Sequence, residues 1–426
     1  MAIVMPRLAQ AQTTLSGLSA TQVFEIAARA EAANDVLTAE TVYAALARNP
    51  DIDVRSEARF RHASLLAQAG RRREAAVLLR AILDEKPDAQ AVRLELASLL
   101  ATLGDERAAY RELRQARAGA LPPDVARLVN QFAEALRARK PYGASIEFAV
   151  APDSNINRAT KADILDTVIA PLQLSEDAQQ QSGVGLRLGG QLYARPRIGE
   201  TLRLTTRLSG LTNLYDQAAF NDASAAAQVG LEWTRGPSRW SPSVGQGYRW
   251  YGGVSYATTD TATLNWRRQI GDKAQVEADV SLGRARYDLN TLQDGEIFDG
   301  SVTYERAFDA RSGGYVTMSL QRQTARDPGY ATKAGGVGLL YWREAFGATV
   351  YGSANVRVLT GDARLALFTH RREETLWRLG GGATFRRVQF KGFSPLLRLS
   401  YERNQSSVGI YDYSRKAIDF GIARSF

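Results

Sequence analysis

The chain closes on Ala417-Ile418-Asp419-Phe420-Gly421-Ile422-Ala423-Arg424-Ser425-Phe426. Ile418, Phe420 and Ile422 alternate with Ala417, Asp419, Gly421 and Ala423, and the period of two runs on to the terminal aromatic Phe426. A strand carries that alternation when one face meets lipid and the other a wet lumen. Arg424 falls on the apolar face, which suits a place near the headgroups, where such a charge costs roughly 0 to 1 kcal/mol instead of 2 to 4 at midplane. The same ten residues would also serve as the edge strand of a soluble sandwich, so the rest of the chain decides.

The composition changes along the 426 residues. Of the 37 aromatics only Phe24, Tyr43, Phe60, Tyr110 and Phe132 precede residue 141, and only four of the 36 glycines do. An opening rich in Ala, Leu and Arg is joined to a remainder rich in Gly, Thr and aromatics, which reads as a helical domain followed by a β domain. The absence of cysteine excludes disulfides and thiolate metal sites. No apolar run is long enough for a membrane helix, but a transmembrane barrel, whose strands show lipid only every second residue, fits this composition. The net charge of +9 comes from arginines scattered through the strands, not clustered on one element, and so argues against nucleic acid. Residues 1–20 are read as a signal-peptide remnant, with Leu8-Ala9-Gln10-Ala11 as its small-residue end, or as a disordered tail.

From Thr21 to Lys140 the apolar residues follow helical spacing, and Gly70 and Gly104 stand 34 residues apart. Ala75, Leu79, Ile82 and Pro87 follow the first; Ala109, Leu113, Ala116 and Pro122 follow the second. Glycine turns the corner of a helix pair, the small residue permits close approach, and proline ends the second helix. The spacing resembles the tetratricopeptide repeat, with a weaker earlier copy ending at Ala45 and Pro50. Three such units are about the minimum for a stable stack, and stacks of this kind expose a concave surface that binds peptides or proteins. A plain spacer is the alternative.

Pro141 ends the helices, and from Tyr142 the period becomes two. Val184, Leu186, Leu188 and Leu192 alternate with Gly185, Arg187, Gly189 and Gln191; Leu202, Leu204 and Leu208 alternate with Arg203, Thr205 and Arg207; Val276, Ala278, Val280 and Leu282 alternate with Glu277, Asp279, Ser281 and Gly283. About fourteen such segments are expected, joined by connections alternately long (Asp153 to Gln181, Tyr215 to Ala225, Tyr287 to Glu296, Gly361 to Glu374, Asn404 to Asp412) and short (Pro196 to Glu200, Gly236 to Arg239, Ala345 to Gly347). Long external loops and short periplasmic turns are the pattern of an outer-membrane barrel. The fold expected is α + β in two domains: a TPR-like helical solenoid over 21–140, then an antiparallel transmembrane barrel of about 14 strands over 141–426. Phe420 and Phe426 match the assembly signal found on the last strand of such barrels.

No phosphate loop, zinc spacing or nucleophile elbow occurs. His370 is the only histidine outside the helical part, near Asp362, Glu373 and Glu374, and a lone exposed histidine is a poor general base. No catalytic residue, cofactor or metal is therefore expected. The candidate lumen residues are Arg187, Arg203, Arg207, Glu277, Asp279, Arg378 and Arg398, together with Arg267, Arg386, Glu402 and Asp419, as a structural ladder, a polar conduit, or both. Ten aromatics near strand ends (Trp240, Trp250, Tyr251, Tyr256, Trp266, Tyr341, Trp342, Tyr401, Tyr411 and Tyr413) suit interfacial girdles.

Ala149-Val150-Ala151-Pro152-Asp153-Ser154-Asn155-Ile156-Asn157-Arg158-Ala159-Thr160, between a repeat domain and a barrel, resembles the Slam family of surface lipoprotein assembly modulators. The resemblance covers about Thr21 to Phe426. It implies an outer-membrane translocon whose partners are a cargo surface lipoprotein or a secreted haem- or metal-binding protein, periplasmic chaperones, the barrel-assembly machinery and outer-membrane lipid. It assigns no role to Asp153, Asn155 and Asn157, which as Asx residues suit turns in the first external loop. A polysaccharide exporter or a substrate-specific porin are the alternatives.

Overall fold

The computed structural model describes residues 18–103, 105, 108–109, 111–113, 115, 141–271, 273–309, 311–385, 388 and 393–425. Gly104, Pro122, Arg386 and Phe426 lie outside the described residues. The chain packs as two compact units, one through Glu85 and one from Lys86.

The first unit is two helix pairs, α1 (Ala20–Ala32) with α2 (Val36–Leu46) and α3 (Ile52–Gln68) with α4 (Arg72–Glu85). Ser19 and Gln22 form a reciprocal capping box at the start of α1, and the Asp35 and Asp51 carboxylates cap α2 and α3, satisfying backbone N–H groups that a first turn leaves unpaired. Gly70, at φ 79°, turns α3 into α4 as its spacing predicts. Asn34, at φ 58°, makes the same left-handed turn between α1 and α2. Asparagine tolerates that conformation, which is why a search for repeated glycine finds only a weak first copy. The core is Val23, Ala27, Ala30, Ala39, Val42, Tyr43, Leu46 and Ala58. In the second unit, α5 (Gln90–Thr102) carries the buried Arg93, whose guanidinium donates to Glu112 (2.6 Å) and Gln115 (2.5 Å).

His62 packs in the helical unit against the Tyr43 ring, and burial holds its imidazole below its ordinary titration range despite Glu40 4.0 Å away. An unfolded imidazole protonates near ~6.5, the folded one only at lower pH. The helices are therefore expected to keep their full stability above that value and to lose part of it as pH falls toward the folded value. Circular dichroism melts between pH 7 and pH 5, with His62→Gln flattening the dependence, check this.

The second unit continues into strands. β1 (Tyr142–Asp153) leads to a small hairpin of β2 (Ile164–Leu165) and β3 (Leu172–Gln173), then to β4 (Gly183–Ala194), β5 (Leu202–Tyr215), β6 (Asp222–Arg235), β7 (Ser238–Tyr251) and β8 (Val254–Ile270). The chain goes on through β9 (Ala274–Tyr287), β10 (Gly295–Ala307), β11 (Ser312–Gln323), β12 (Thr332–Ala345), β13 (Ala348–Arg364), β14 (Arg371–Phe385), β15 (Ser394–Ser406) and β16 (Tyr413–Ser425). Apart from the β2–β3 hairpin, each strand pairs antiparallel with its neighbours in the chain, and β1 pairs with both β4 and β16, closing a barrel of fourteen strands. Closure leaves no strand edge, which lipid requires.

Most external connections are shorter than the sequence suggests. Loop 1, residues 154–182, is long, but the others are 216–221, 252–253, 288–294, 324–331, 365–370 and 407–412. The segment from Gly361 to Glu374 is mostly strand, with Arg364 still paired to Arg371. Alternation lapses there because both faces are polar. Pairing persists with polar side chains tying strands together: Arg322 of β11 holds Asp362 of β13 across β12 (2.7 and 2.5 Å), and Arg249 holds Asp222 of the neighbouring β6 (3.0 and 2.9 Å). Gly252 and Gly253, both at positive φ, make a two-residue turn between β7 and β8.

Candidate functional site

The register assigns the two faces of the wall. On one face Arg398 of β15 reaches Glu147 of β1, and Arg187 of β4 reaches Asp419 of β16, each across an intervening strand. Charged side chains of this kind belong on the inner face of a barrel in lipid, where water can reach them. The opposite face carries Phe148, Val150, Leu192, Leu208, Val244, Leu282, Met318, Leu339, Leu399 and Phe420, all exposed, a continuous apolar surface of the kind that meets lipid. Phe420 lies on this outer face opposite Val150 and Leu397. Of the expected girdle aromatics, Trp240, Trp250, Tyr341 and Tyr401 are on it, with Trp266 directly opposite Trp240. Tyr251, Trp342 and Tyr413 share the register of the inner face, and Tyr256 joins Tyr251 and Tyr287 there because a bulge at Arg249/Trp250 displaces the alternation.

All seven candidate lumen residues fall on the inner face. Arg187 donates to Asp419 (3.1 Å), and Arg398 holds Glu147 through both Nη atoms (2.5 and 2.8 Å). Glu277 accepts from Arg267 (3.0 and 2.6 Å) and from Asn265 (2.7 Å), which also donates to Asp279 (2.7 Å). Arg203 lies opposite Glu232, Arg207 opposite Gln228, and Arg378 opposite Glu402. Asp299, Glu305, Arg357 and Arg415 share this face, and extending the period of two through β10, β13 and β16 would have found them. Asp279, Asp299 and Arg357 are among the residues that line a recess of about 270 Å³. The wall from β9 to β12 is thus rich in carboxylates and hydroxyls, while the facing wall carries most of the arginines.

The Asp-Ser-Asn-Ile-Asn run anchors loop 1 to this lumen. The Asp153 carboxylate accepts from the Asn155 N–H (2.9 Å) and from Arg415 Nε (2.8 Å). Asn155 is fully buried; its amide donates to the carbonyls of Ala159 (2.9 Å) and Ser414 (3.0 Å) and accepts from the Ala159 N–H (3.0 Å). Asn157 ties the far end of the loop, donating to the carbonyls of Asp177 (3.1 Å) and Gln179 (2.7 Å) and accepting from the Gln181 N–H (3.1 Å). Arg158, held at φ 50°, donates to Glu402, which also takes Arg415 and the Tyr413 hydroxyl. Beyond this knot the loop reaches the connection between β13 and β14, where the Val168 N–H donates to the Leu367 carbonyl (3.0 Å). Loop 1 therefore leans across the external ends of β16, β15 and β14. His370 is exposed and contacts Thr369, while Asp362, Glu373 and Glu374 are engaged by Arg322, Arg371 and Arg372.

A family model described as surface lipoprotein assembly modifier matches residues 143–426. Over 370 residues the chain is 24% identical to surface lipoprotein assembly modifier 1 of Haemophilus influenzae, covering 82% of this chain and 73% of that protein. It is 26% identical over 373 residues to the protein of the same name from Neisseria meningitidis serogroup B, covering 84% and 74%. Among solved structures, a loop-deletion variant of OmpT, an outer membrane protein of Vibrio cholerae, covers 67% of this chain and 99% of its own at 10% identity and a TM-score of 0.39. OccAB1 of Acinetobacter baumannii covers 67% and 97% at 9% identity and a TM-score of 0.36.

Proposed function

Since this chain belongs to the surface lipoprotein assembly modifier family, we propose that it is the outer-membrane translocon through which a lipoprotein, or a soluble relative of one, passes from periplasm to cell surface. The barrel sits in the outer membrane and acts in surface lipoprotein assembly. The observation that carries the finer reading is a closed barrel with a charged, hydroxyl-rich inner face, preceded in the same chain by paired helices. Those helices, read as TPR-like, receive the cargo in the periplasm. Chaperones keep it unfolded, and the barrel-assembly machinery inserts the barrel into lipid. The engagement of the carboxylates nearest His370 by arginines supports a conduit without catalysis.

The compartment beneath the outer membrane holds no ATP, so the driving force comes from the cargo. A domain that folds only after emerging releases on the order of 5 to 15 kcal/mol, which makes passage one-way.

The test of the helical region is replacement. Exchanging residues 21–140 for an unrelated solenoid of equal length is expected to leave the barrel assembled and to reduce cargo display about tenfold or more, read by protease shaving of intact cells, since a lost binding energy of ~1.4 kcal/mol already costs that factor. Unchanged display would make the helices a spacer and remove their binding role.

A further inference from the structure

Every adjacent pair of strands in this barrel is joined by a chain connection except one: β1 and β16 meet with the whole domain between them in sequence. Their pairing is also interrupted. The register with β16 runs from Ser145 to Val150, lapses at Ala151 and Pro152, and resumes at Asp153, whereas on its other side β1 pairs with β4 without a break from Tyr142 to Asp153. Proline has no N–H to give a ladder, so the seam loses backbone hydrogen bonding at this point, and beyond it the Ser154 N–H again donates to the Lys416 carbonyl (2.9 Å).

Side chains on the inner face replace them. Arg415 of β16 holds Asp153 of β1, Arg398 of β15 holds Glu147 of β1, and Arg187 of β4 holds Asp419 of β16, three ion pairs that all straddle this seam. Two of the three cations, Arg415 and Arg398, have second partners on their own side of it. Arg415 also contacts Glu402 of β15 (2.8 Å), and Arg398 lies 4.0 Å from Asp419 of β16. On the β1 side, Asp153 retains the Asn155 N–H. The seam can part without leaving its two β16-side arginines unpaired, and the groups it uncovers face a lumen where water can reach them. On the outer side the flanking residues are Phe148, Val150, Ile418 and Ile422, all exposed to the hydrocarbon.

A lipid-anchored cargo gives such a device a use. Its polypeptide suits a polar lumen, but its acyl chains must end in the outer leaflet, and only an opening in the wall connects the two. We propose that the β1–β16 seam is a lateral gate, clasped by Asp153–Arg415, Glu147–Arg398 and Asp419–Arg187, that parts from its external end to release the acyl anchor of the cargo into the membrane. The proposal rests on the translocon reading above and adds the route of the anchor.

The chain has no cysteine, so an engineered disulfide is unambiguous. Phe148→Cys with Ile422→Cys closes the seam at directly opposed outer-face positions, and Val302→Cys with Met318→Cys closes β10 to β11 as a control. The probe is a lipoprotein that the cysteine-free parent displays, compared with the same protein after its acylated cysteine is changed to serine, both read by protease shaving. The oxidised seam lock is expected to lower display of the acylated form at least tenfold, to leave the unacylated form passing, and to recover on reduction, while the control lock changes neither. Display of the acylated form at the parent's rate through an oxidised seam overturns the gate, as does equal loss of both forms or an equal block by the control lock. Undiminished display of both forms by cells that lack this chain removes the translocon reading, and the gate with it.

Discussion

A cargo whose folded core is closed by an engineered disulfide in the periplasm is expected to stay there, its surface display falling by roughly tenfold or more, while a destabilised cargo that can still fold passes. The reason is geometric and energetic together. A fourteen-stranded wall encloses a lumen suited to an extended chain or hairpin, and its side chains already occupy part of that space. A locked domain does not fit, and being already folded it has no folding free energy left to supply outside, where ~5 to 15 kcal/mol would otherwise oppose return. The measurement is protease shaving of intact cells with and without periplasmic reductant. Normal display of the locked cargo would sink the folding-driven mechanism while leaving the family and the membrane placement untouched.

The second large effect is expected at Asn155. Its amide makes three hydrogen bonds in a site closed to solvent, one of them to β16 across 259 residues of sequence. Asn155→Ala leaves the Ser414 and Ala159 carbonyls and the Ala159 N–H without these partners, and at about 1 kcal/mol or more for each buried group the loss comes to about 3 kcal/mol. Asn155→Asp should be worse, since a carboxylate would face two carbonyl oxygens with acceptors alone, close to the Asp153 carboxylate. Asn157→Ala, at a more accessible site, is expected to cost less. Proteolytic cleavage within residues 154–182 and the temperature of the heat-modifiable gel shift report the two halves of this prediction. A loop as resistant in Asn155→Ala as in the parent would show that the knot does not hold it.

The same knot marks how far the sequence could be read. The faces of the strands were legible because a period of two is a local property: Arg187 and Glu277 must lie opposite Val184 and Val276 whatever else the chain does. The partners were not, because register joins residues remote in sequence; Arg398 meets Glu147 and Asn155 meets Ser414 through the closure of the barrel, which no local pattern announces. Asp153, Asn155 and Asn157 were recognisable as turn-formers, but the burial of Asp153 and Asn155 came from strand β16 arriving beside them. The external loops were overread for a related reason. Polar residues on both faces of a strand look like a loop when the hydrogen-bonded neighbour is unknown, as between Gly361 and Glu374. Asn34 does not announce its turn in the sequence, because the left-handed turn selects a conformation, which more than one residue type can adopt.

The short connections at 216–221, 252–253, 288–294, 324–331, 365–370 and 407–412 bear on how the molecule meets the world outside the cell. An antibody or a phage needs an epitope that stands clear of the lipopolysaccharide sugars, and tight turns give it little to grip. Loop 1 is the one connection with the length to offer such a surface, yet it is knotted to the lumen through Asp153, Asn155 and Arg158. Escape from recognition by sequence drift is therefore open at its tip, around Thr167 to Pro171, and closed at its base, where a change that altered the epitope would also disturb the seam.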